Sequence, residues 1–268
     1  MKKNIKTVVL MVSMAVITTC GIMSCTSSRD EGGILKVDTR STVDYLLPCK
    51  GGYLLIDTSY PDNYDLFKKG LAALNITVGE IRYIMVTHHH NDHSGFAARL
   101  AAESGATIIA HEGAVPLLHA GKSMPYKKYV NRCTKIIFSM IVKVFDGSPE
   151  HDFTPVPEGF PIIPVKGNDD HLLRTIGIRG KIICTPGHTD DSISILMDDG
   201  RAFVGDLAMN FLNICSCQRR PALINDMKQL YTSWNSIIAA GARIIYPAHG
   251  DPFPVRDLRQ SMNDNPAQ

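Results

Sequence analysis

Residues 87–95 read Thr-His-His-His-Asn-Asp-His-Ser-Gly and follow directly on the apolar run Tyr83-Ile84-Met85-Val86. An extended chain sends alternate side chains to one side, so His88 and His90 can converge on one ion while His89 points away. A helix is expected to start near Ser94, and the chain's turn into it swings Asp92 and His93 toward a second position. Neutral imidazole nitrogens with a carboxylate oxygen are the donor set that a borderline cation such as Zn²⁺ prefers. The plain alternative is a solvated histidine-rich loop. An engineered tag, however, would have no strand before it and no aspartate inside it.

The spacing His88-x-His90-x-Asp92-His93 resembles the signature of the metallo-β-lactamase fold superfamily. That resemblance implies further ligands at the ends of later strands, and the chain carries matches in the expected order. They are His188 in Thr185-Pro186-Gly187-His188-Thr189, Asp206 in Gly205-Asp206, and His249 in Pro247-Ala248-His249-Gly250. Taken singly, His188 reads as a surface residue after a Pro-Gly turn, Asp206 as a turn carboxylate and His249 as a loop histidine. Four motifs in order make the resemblance specific, and it runs from about residue 34 to residue 253. It implies one metal on His88, His90 and His188, a second on Asp92, His93 and His249, and Asp206 bridging them with a water or hydroxide. Zinc is the expected ion, two per chain, with Fe or Mn as alternatives. Asp57, at the end of an early strand, matches an acid that fixes the far nitrogen of a ligating imidazole in similar proteins; a turn-forming aspartate is its other reading. Asn210, four residues past Asp206, reads either as an oxyanion binder or as an ordinary loop asparagine. His89, His111, His119, His151 and His171 are expected to be structural or exposed.

Around these motifs, short apolar runs alternate with turn residues and helical stretches. Strands are expected at 34–37, 43–47, 53–56, 84–86, 107–110, 172–176, 182–185, 193–197, 202–204 and 244–246. Helices are expected at 62–74, 95–104 and 227–240. No Pro/Ser-rich linker separates the two runs of strands, so residues 34–265 read as one α/β domain of two similar halves. The resemblance implies a four-layer αββα sandwich of two mixed β-sheets. Residues 126–145 stand apart: Tyr129, Cys133, Ile136, Ile137, Met140, Ile141 and Val144 follow helical spacing. Lys127, Lys128, Arg132, Lys135 and Lys143 accompany them with no acid until Asp146. Such a helix either packs over the domain at a pocket entrance or lies on an anionic membrane surface.

At the N-terminus, Lys2, Lys3 and Lys6 precede a short apolar stretch and the tetrad Ile22-Met23-Ser24-Cys25, which is similar to a lipobox. A bacterial export signal over residues 1–24 is expected, with a lipid on Cys25 as the contact with a membrane and residues 25–33 as a tether. An uncleaved anchor helix and plain secretion are the alternatives. Without Cys20 and Cys25, five cysteines remain, so at least one is unpaired in an oxidising compartment, and no disulfide framework is evident. The chain has 268 residues and a formal charge of +2, and the three leader lysines account for that excess. What remains is near neutral, which argues against a nucleic-acid binder working by broad phosphate neutralisation. At 44% hydrophobic and 20% charged residues, the composition is globular.

The resemblance implies a dinuclear zinc hydrolase that uses a metal-bridging hydroxide on a small carbonyl substrate: an ester, lactone, thioester or β-lactam. Asp92 is expected to orient the nucleophile or move a proton. Asp206 departs from the metallo-β-lactamases proper, which usually lack aspartate there. The short stretch after His249 departs from glyoxalase II-like thioesterases, so the layout is most similar to lactonase-like and general hydrolase branches. Two other readings stand beside it. One is a mononuclear iron enzyme oxidising thiols or persulfides; the other is a non-catalytic metal-holding lipoprotein.

Overall fold

The β-branched runs form fourteen strands in the computed structural model, which describes residues 26–30, 33–39, 42–125, 127–145 and 152–267. The expected signal over 1–24, Cys25 and His151 lie outside the described residues. In chain order the strands are β1 Thr26–Arg29, β2 Leu35–Thr39, β3 Thr42–Cys49, β4 Gly52–Ile56, β5 Ile81–Val86, β6 Thr107–His111 and β7 Lys128–Tyr129. They continue as β8 Ile162–Val165, β9 Gly180–Cys184, β10 Ile193–Met197, β11 Arg201–Gly205, β12 Leu223–Ile224, β13 Ile244–Pro247 and β14 Phe253–Pro254. The first run builds one sheet in the order β1-β2-β3-β4-β5-β6-β8, and the second builds another, β14-β13-β11-β10-β9. Both are mixed. In the first, β4, β5, β6 and β8 run parallel; in the second, β11 and β13 do.

Because side chains alternate along a strand, each strand serves two cores. On β3, β4, β5 and β6, Tyr45, Leu54, Ile56, Met85 and Ile109 face the second sheet, where they meet Ile182, Ile193, Ile195, Phe203 and Tyr246. Their neighbours Leu46, Leu55, Ile84, Val86 and Ile108 face outward onto Phe67, Leu71 and Leu100 of helices Tyr64–Ala73 and Ala97–Ser104. On the far side, Ile183, Leu196, Ala202, Val204 and Ile245 pack against Leu230, Trp234 and Ile237 of helix Met227–Ala239, with Leu258 of helix Arg256–Asp264. Three apolar seams between four layers are the expected αββα sandwich.

The ends of β5, β9, β11 and β13 gather at one edge of this sandwich. There the Thr87 carbonyl accepts the Ile193 amide at 2.9 Å and the Ala248 carbonyl accepts the Val43 amide at 2.8 Å, so both sheets meet.

Several expectations are corrected. Residues 172–176 were expected as a strand; Leu172–Thr175 is a helical turn. The Asp169 carboxylate accepts the amides of His171 and Leu172 at 2.8 and 2.6 Å, which bends the chain into that turn. The expected helix over 126–145 is strand β7 followed by helix Arg132–Phe145, because Asn131 Oδ1 accepts the Thr134 amide at 3.0 Å and starts the helix there. Part of the expected tether is sheet: β1 completes the open edge of β2. Cys133 and Cys215 form a disulfide across 82 residues, leaving Cys49, Cys184 and Cys217 free among the described residues.

Candidate metal centre

Past Val86 the chain is held by Asp57. Its Oδ1 accepts the Thr87 amide at 2.8 Å, and its Oδ2 accepts the Thr87 hydroxyl at 2.9 Å. His90 keeps an extended backbone, and a helical turn, Asn91–Ser94, begins right after it. The Ser94 hydroxyl returns to the His90 carbonyl at 2.8 Å and locks that change of direction. As the alternation requires, the His88 and His90 rings come together, 4.6 Å between centroids. The turn brings His93 beside them, 4.1 Å from His88. Gly95 is confined there, since a Cβ would lie 2.3 Å from the Ser59 carbonyl oxygen.

The second sheet brings the other three residues. His188 follows β9, and its Nδ1 bonds to the Leu223 carbonyl on β12 at 2.7 Å. Asp206 follows β11, and His249 follows β13. Donor atoms within 4.8 Å of one another form three overlapping sets: His88, His90 and His188; His88, His93 and Asp206; and Asp92, His93 and His249. Asp206 stands between the outer two. Its Oδ2 is 3.5 Å from His188 Nε2, and its Oδ1 is 3.3 Å from both His93 Nε2 and His249 Nε2. The structure therefore joins all seven sequence-expected residues in one centre, and all seven are buried.

Four of their buried polar atoms make no hydrogen bond: His88 Nε2, Asp92 Oδ1, His93 Nε2 and Asp206 Oδ1. An unsatisfied buried polar group costs about 1–3 kcal/mol, so four of them converging argue for a charged ligand. Imidazole nitrogens and carboxylate oxygens on two adjoining sets fit a borderline divalent cation.

The electrostatics divide along the same line. Burial first, then the surrounding imidazoles, push His88 and His90 well below the ordinary histidine pKa. Burial also lowers His188, partly offset by Asp206. At His93 burial is overcome by Asp206, Asp92 and Asp57, which hold its pKa well above the ordinary value. His249 is raised in the same way by Asp206 and Asp92. Burial works against charge on Asp92, yet His93 and His249 bring it below the usual carboxylate range. Asp206 is lowered too, by His249 and His93 against burial.

Asp57 has the expected supporting position: its Oδ2 meets His93 Nδ1 at 2.8 Å. It does so from a left-handed backbone, φ 64°, which is uncommon for a residue other than glycine. Asn210 is a loop residue. Its Nδ2 donates to the Asp251 carbonyl at 3.0 Å, and its Oδ1 receives Arg219 and Asn213, so the carboxamide fastens the rim. His89 is structural, its Nδ1 2.9 Å from Asp191 Oδ1. Three contributors were missed: Asp191, Asp44 and Tyr60. Asp44 is a buried acid whose Oδ1 accepts the Ser59 amide at 3.2 Å and whose pKa is raised well above normal by burial and then by Asp57. Tyr60 donates its hydroxyl to Asp92 Oδ2 at 3.4 Å; Asp92, then burial, pushes its phenol well above the ordinary value. Nothing in Ser59-Tyr60-Pro61 marks it, because its partner is 32 residues away.

Two mixed sheets between helices, with a histidine–aspartate centre on one shared edge, define a class of metal-binding αββα proteins. The chain belongs to the Metallo-beta-lactamase superfamily, whose family profile matches residues 38–249. It is 26% identical over 212 residues to the beta-lactamase-like protein 2 homolog of Caenorhabditis elegans, covering 79% of this chain and 56% of that one. It is 27% identical over 171 residues to a metallo-beta-lactamase fold-containing protein of Sulfurisphaera tokodaii, covering 64% and 61%. The chain thus spans about three-fifths of the length of these curated relatives. A solved subclass B3 metallo-beta-lactamase of Bradyrhizobium japonicum superposes with a TM-score of 0.59 at 21% identity, covering 90% of each chain. At that identity the likeness is one of fold.

Proposed function

We propose that this protein is a metal-dependent hydrolase that holds two zinc ions and acts on a small carbonyl substrate: an ester, lactone, thioester or β-lactam. The observation that carries the reading is the place of Asp206, with one oxygen toward His188 and the other toward His93 and His249. His88, His90 and His188 would hold one ion, Asp92, His93 and His249 the other, and Asp206 both. Bound ions of this kind supply Lewis acidity toward a substrate oxygen and lower the pKa of water from ~15.7 toward neutrality. The chain's own groups do the rest. Asp92, kept as a carboxylate by His93 and His249, accepts a hydrogen bond from the attacking water and orients it. Tyr60, kept as a phenol by Asp92, holds that carboxylate in place. Asp57 fixes the His93 ring through Nδ1 and leaves Nε2 aimed into the centre.

Purified protein is expected to carry close to two equivalents of metal and to turn over at least one member of an ester, lactone, thioester and cephalosporin panel. Asp206→Ala should lower metal content and reduce turnover by more than the roughly 100-fold that losing an outer partner costs. Full activity with less than half an equivalent of any transition metal would sink the reading. We further propose that the chain is an exported lipoprotein, from the pattern of residues 1–25. Labelled palmitate should mark the wild type and spare Cys25→Ala; equal labelling of both refutes it.

A further inference from the structure

Five large apolar side chains are exposed among the described residues, and four of them lie on segments tied to the loops of the metal centre: Met124 (52%), Tyr129 (37%), Ile136 (46%) and Phe211 (44%). Ser123, beside Met124, accepts the Asn91 amide at 2.9 Å and so touches the histidine loop. Tyr129 lies opposite Leu223, whose carbonyl meets His188. Ile136 is one turn beyond Cys133, whose disulfide partner Cys215 lies on the same loop as Asn210, and the Asn210 amide bonds to the His249 carbonyl. The Phe211 ring is 6.2 Å from the His249 ring.

These residues are not the seam by which helix Arg132–Phe145 packs. That seam is Thr134 and Ile137, which turn inward, the latter onto Cys215 and Cys217. The outer face also carries Lys122, Lys127, Lys128, Arg132 and Lys135, all exposed. No acid occurs from residue 113 to residue 145. Asp226 lies near Lys127 and Lys128 and offsets part of their charge; it also caps helix Met227–Ala239.

Exposed apolar and aromatic side chains beside cations from a stretch that holds no acid between residues 113 and 145 are complementary to one partner in particular, an anionic lipid surface. The rings and aliphatic groups enter the headgroup region while the lysine stems lie flat and keep their charges at the phosphates. We propose that this rim docks the protein on an anionic bilayer and turns the mouth of the metal centre toward the lipid. Among the described residues no helix is long and apolar enough to cross a membrane, so the contact is peripheral. The proposal does not depend on the metal chemistry, and it rests on residues other than 1–25.

The test is hydrogen exchange and flotation of the full chain with two kinds of vesicle, phosphatidylcholine alone and phosphatidylcholine mixed with phosphatidylglycerol. Any N-terminal anchor contributes about equally to both, so the difference between them reads the rim. Each cation at an anionic surface multiplies partitioning roughly fivefold. Lys128→Gln/Arg132→Gln/Lys135→Gln should therefore lose on the order of 100-fold of the anionic preference while keeping its thermal midpoint. High salt on the wild type should have the same sense, and it guards against a misfolded variant. Amides of residues 122–137 and 211–213 should be protected by anionic vesicles only. Equal partitioning into both vesicles, or no protection at these residues, overturns the proposal. Protection that rises with protein concentration in the absence of vesicles also overturns it and assigns the face to a second copy.

Discussion

Asp57 shows how much one side chain carries here. From a left-handed backbone it takes the Thr87 amide, the Thr87 hydroxyl and His93 Nδ1. A backbone of that kind costs on the order of 1–3 kcal/mol and persists where the surroundings over-determine it. Asp57→Asn keeps the shape but replaces one acceptor with a donor, so metal affinity should fall about 10–100-fold. Competition with a chromophoric chelator measures this, and unchanged affinity would show that the carboxylate does not tune the site. The imidazoles make a second prediction, about pH. Ligands must be deprotonated to hold metal. The raised pKa values of His93 and His249 mean that protons reclaim these two first as pH falls. His88, His90 and His188, with lowered values, stay neutral further into acid. If each set holds an ion as proposed, metal content at stepped pH should therefore fall in two stages, the one on Asp92, His93 and His249 leaving first. Loss of both together would contradict it.

At the scale of elements, the edge of the sandwich is defined by how β11 ends. Gly205 has φ 51°, and a Cβ there would lie 2.4 Å from the Thr87 hydroxyl oxygen. Gly205→Ala should separate β11 from the β5 loop, break the Thr87–Asp57 bond and displace Asp206 by its neighbour. A loss of roughly 1–3 kcal/mol in urea denaturation, with reduced metal content, is expected. A variant as stable as the wild type would show that the edge gives way easily. Elements with a strong period were legible: β5 and helix Met227–Ala239 lie where apolar spacing puts them. The turn Leu172–Thr175 was not, because four residues are too few to show either period and the Asp169 hydrogen bonds to the His171 and Leu172 amides decide between them.

At the scale of the whole molecule, the centre is a clasp between two sheets. Four of its residues lie on the loop after β5 of the first sheet and three at strand ends of the second. An ion bound only by the folded chain stabilises it by about 4 kcal/mol at a thousandfold excess over Kd. For a domain of this size that is a thermal shift on the order of 10 °C. EDTA should lower the midpoint by about that much and added zinc should restore it; a midpoint indifferent to both would mean that nothing binds at the clasp. The sequence alone determined His88, His90, Asp92 and His93, since a strand period followed by a helical turn aims all four within six residues. It also determined the order of His188, Asp206 and His249, through motifs at strand ends. Only the tertiary structure decided which Asp206 oxygen faces which cluster, that Tyr60 meets Asp92, that Asn210 fastens the rim, and that Cys133 pairs with Cys215. Local steric preferences reach a few residues along a chain. These contacts join positions tens of residues apart, and the stacking of the two sheets sets them.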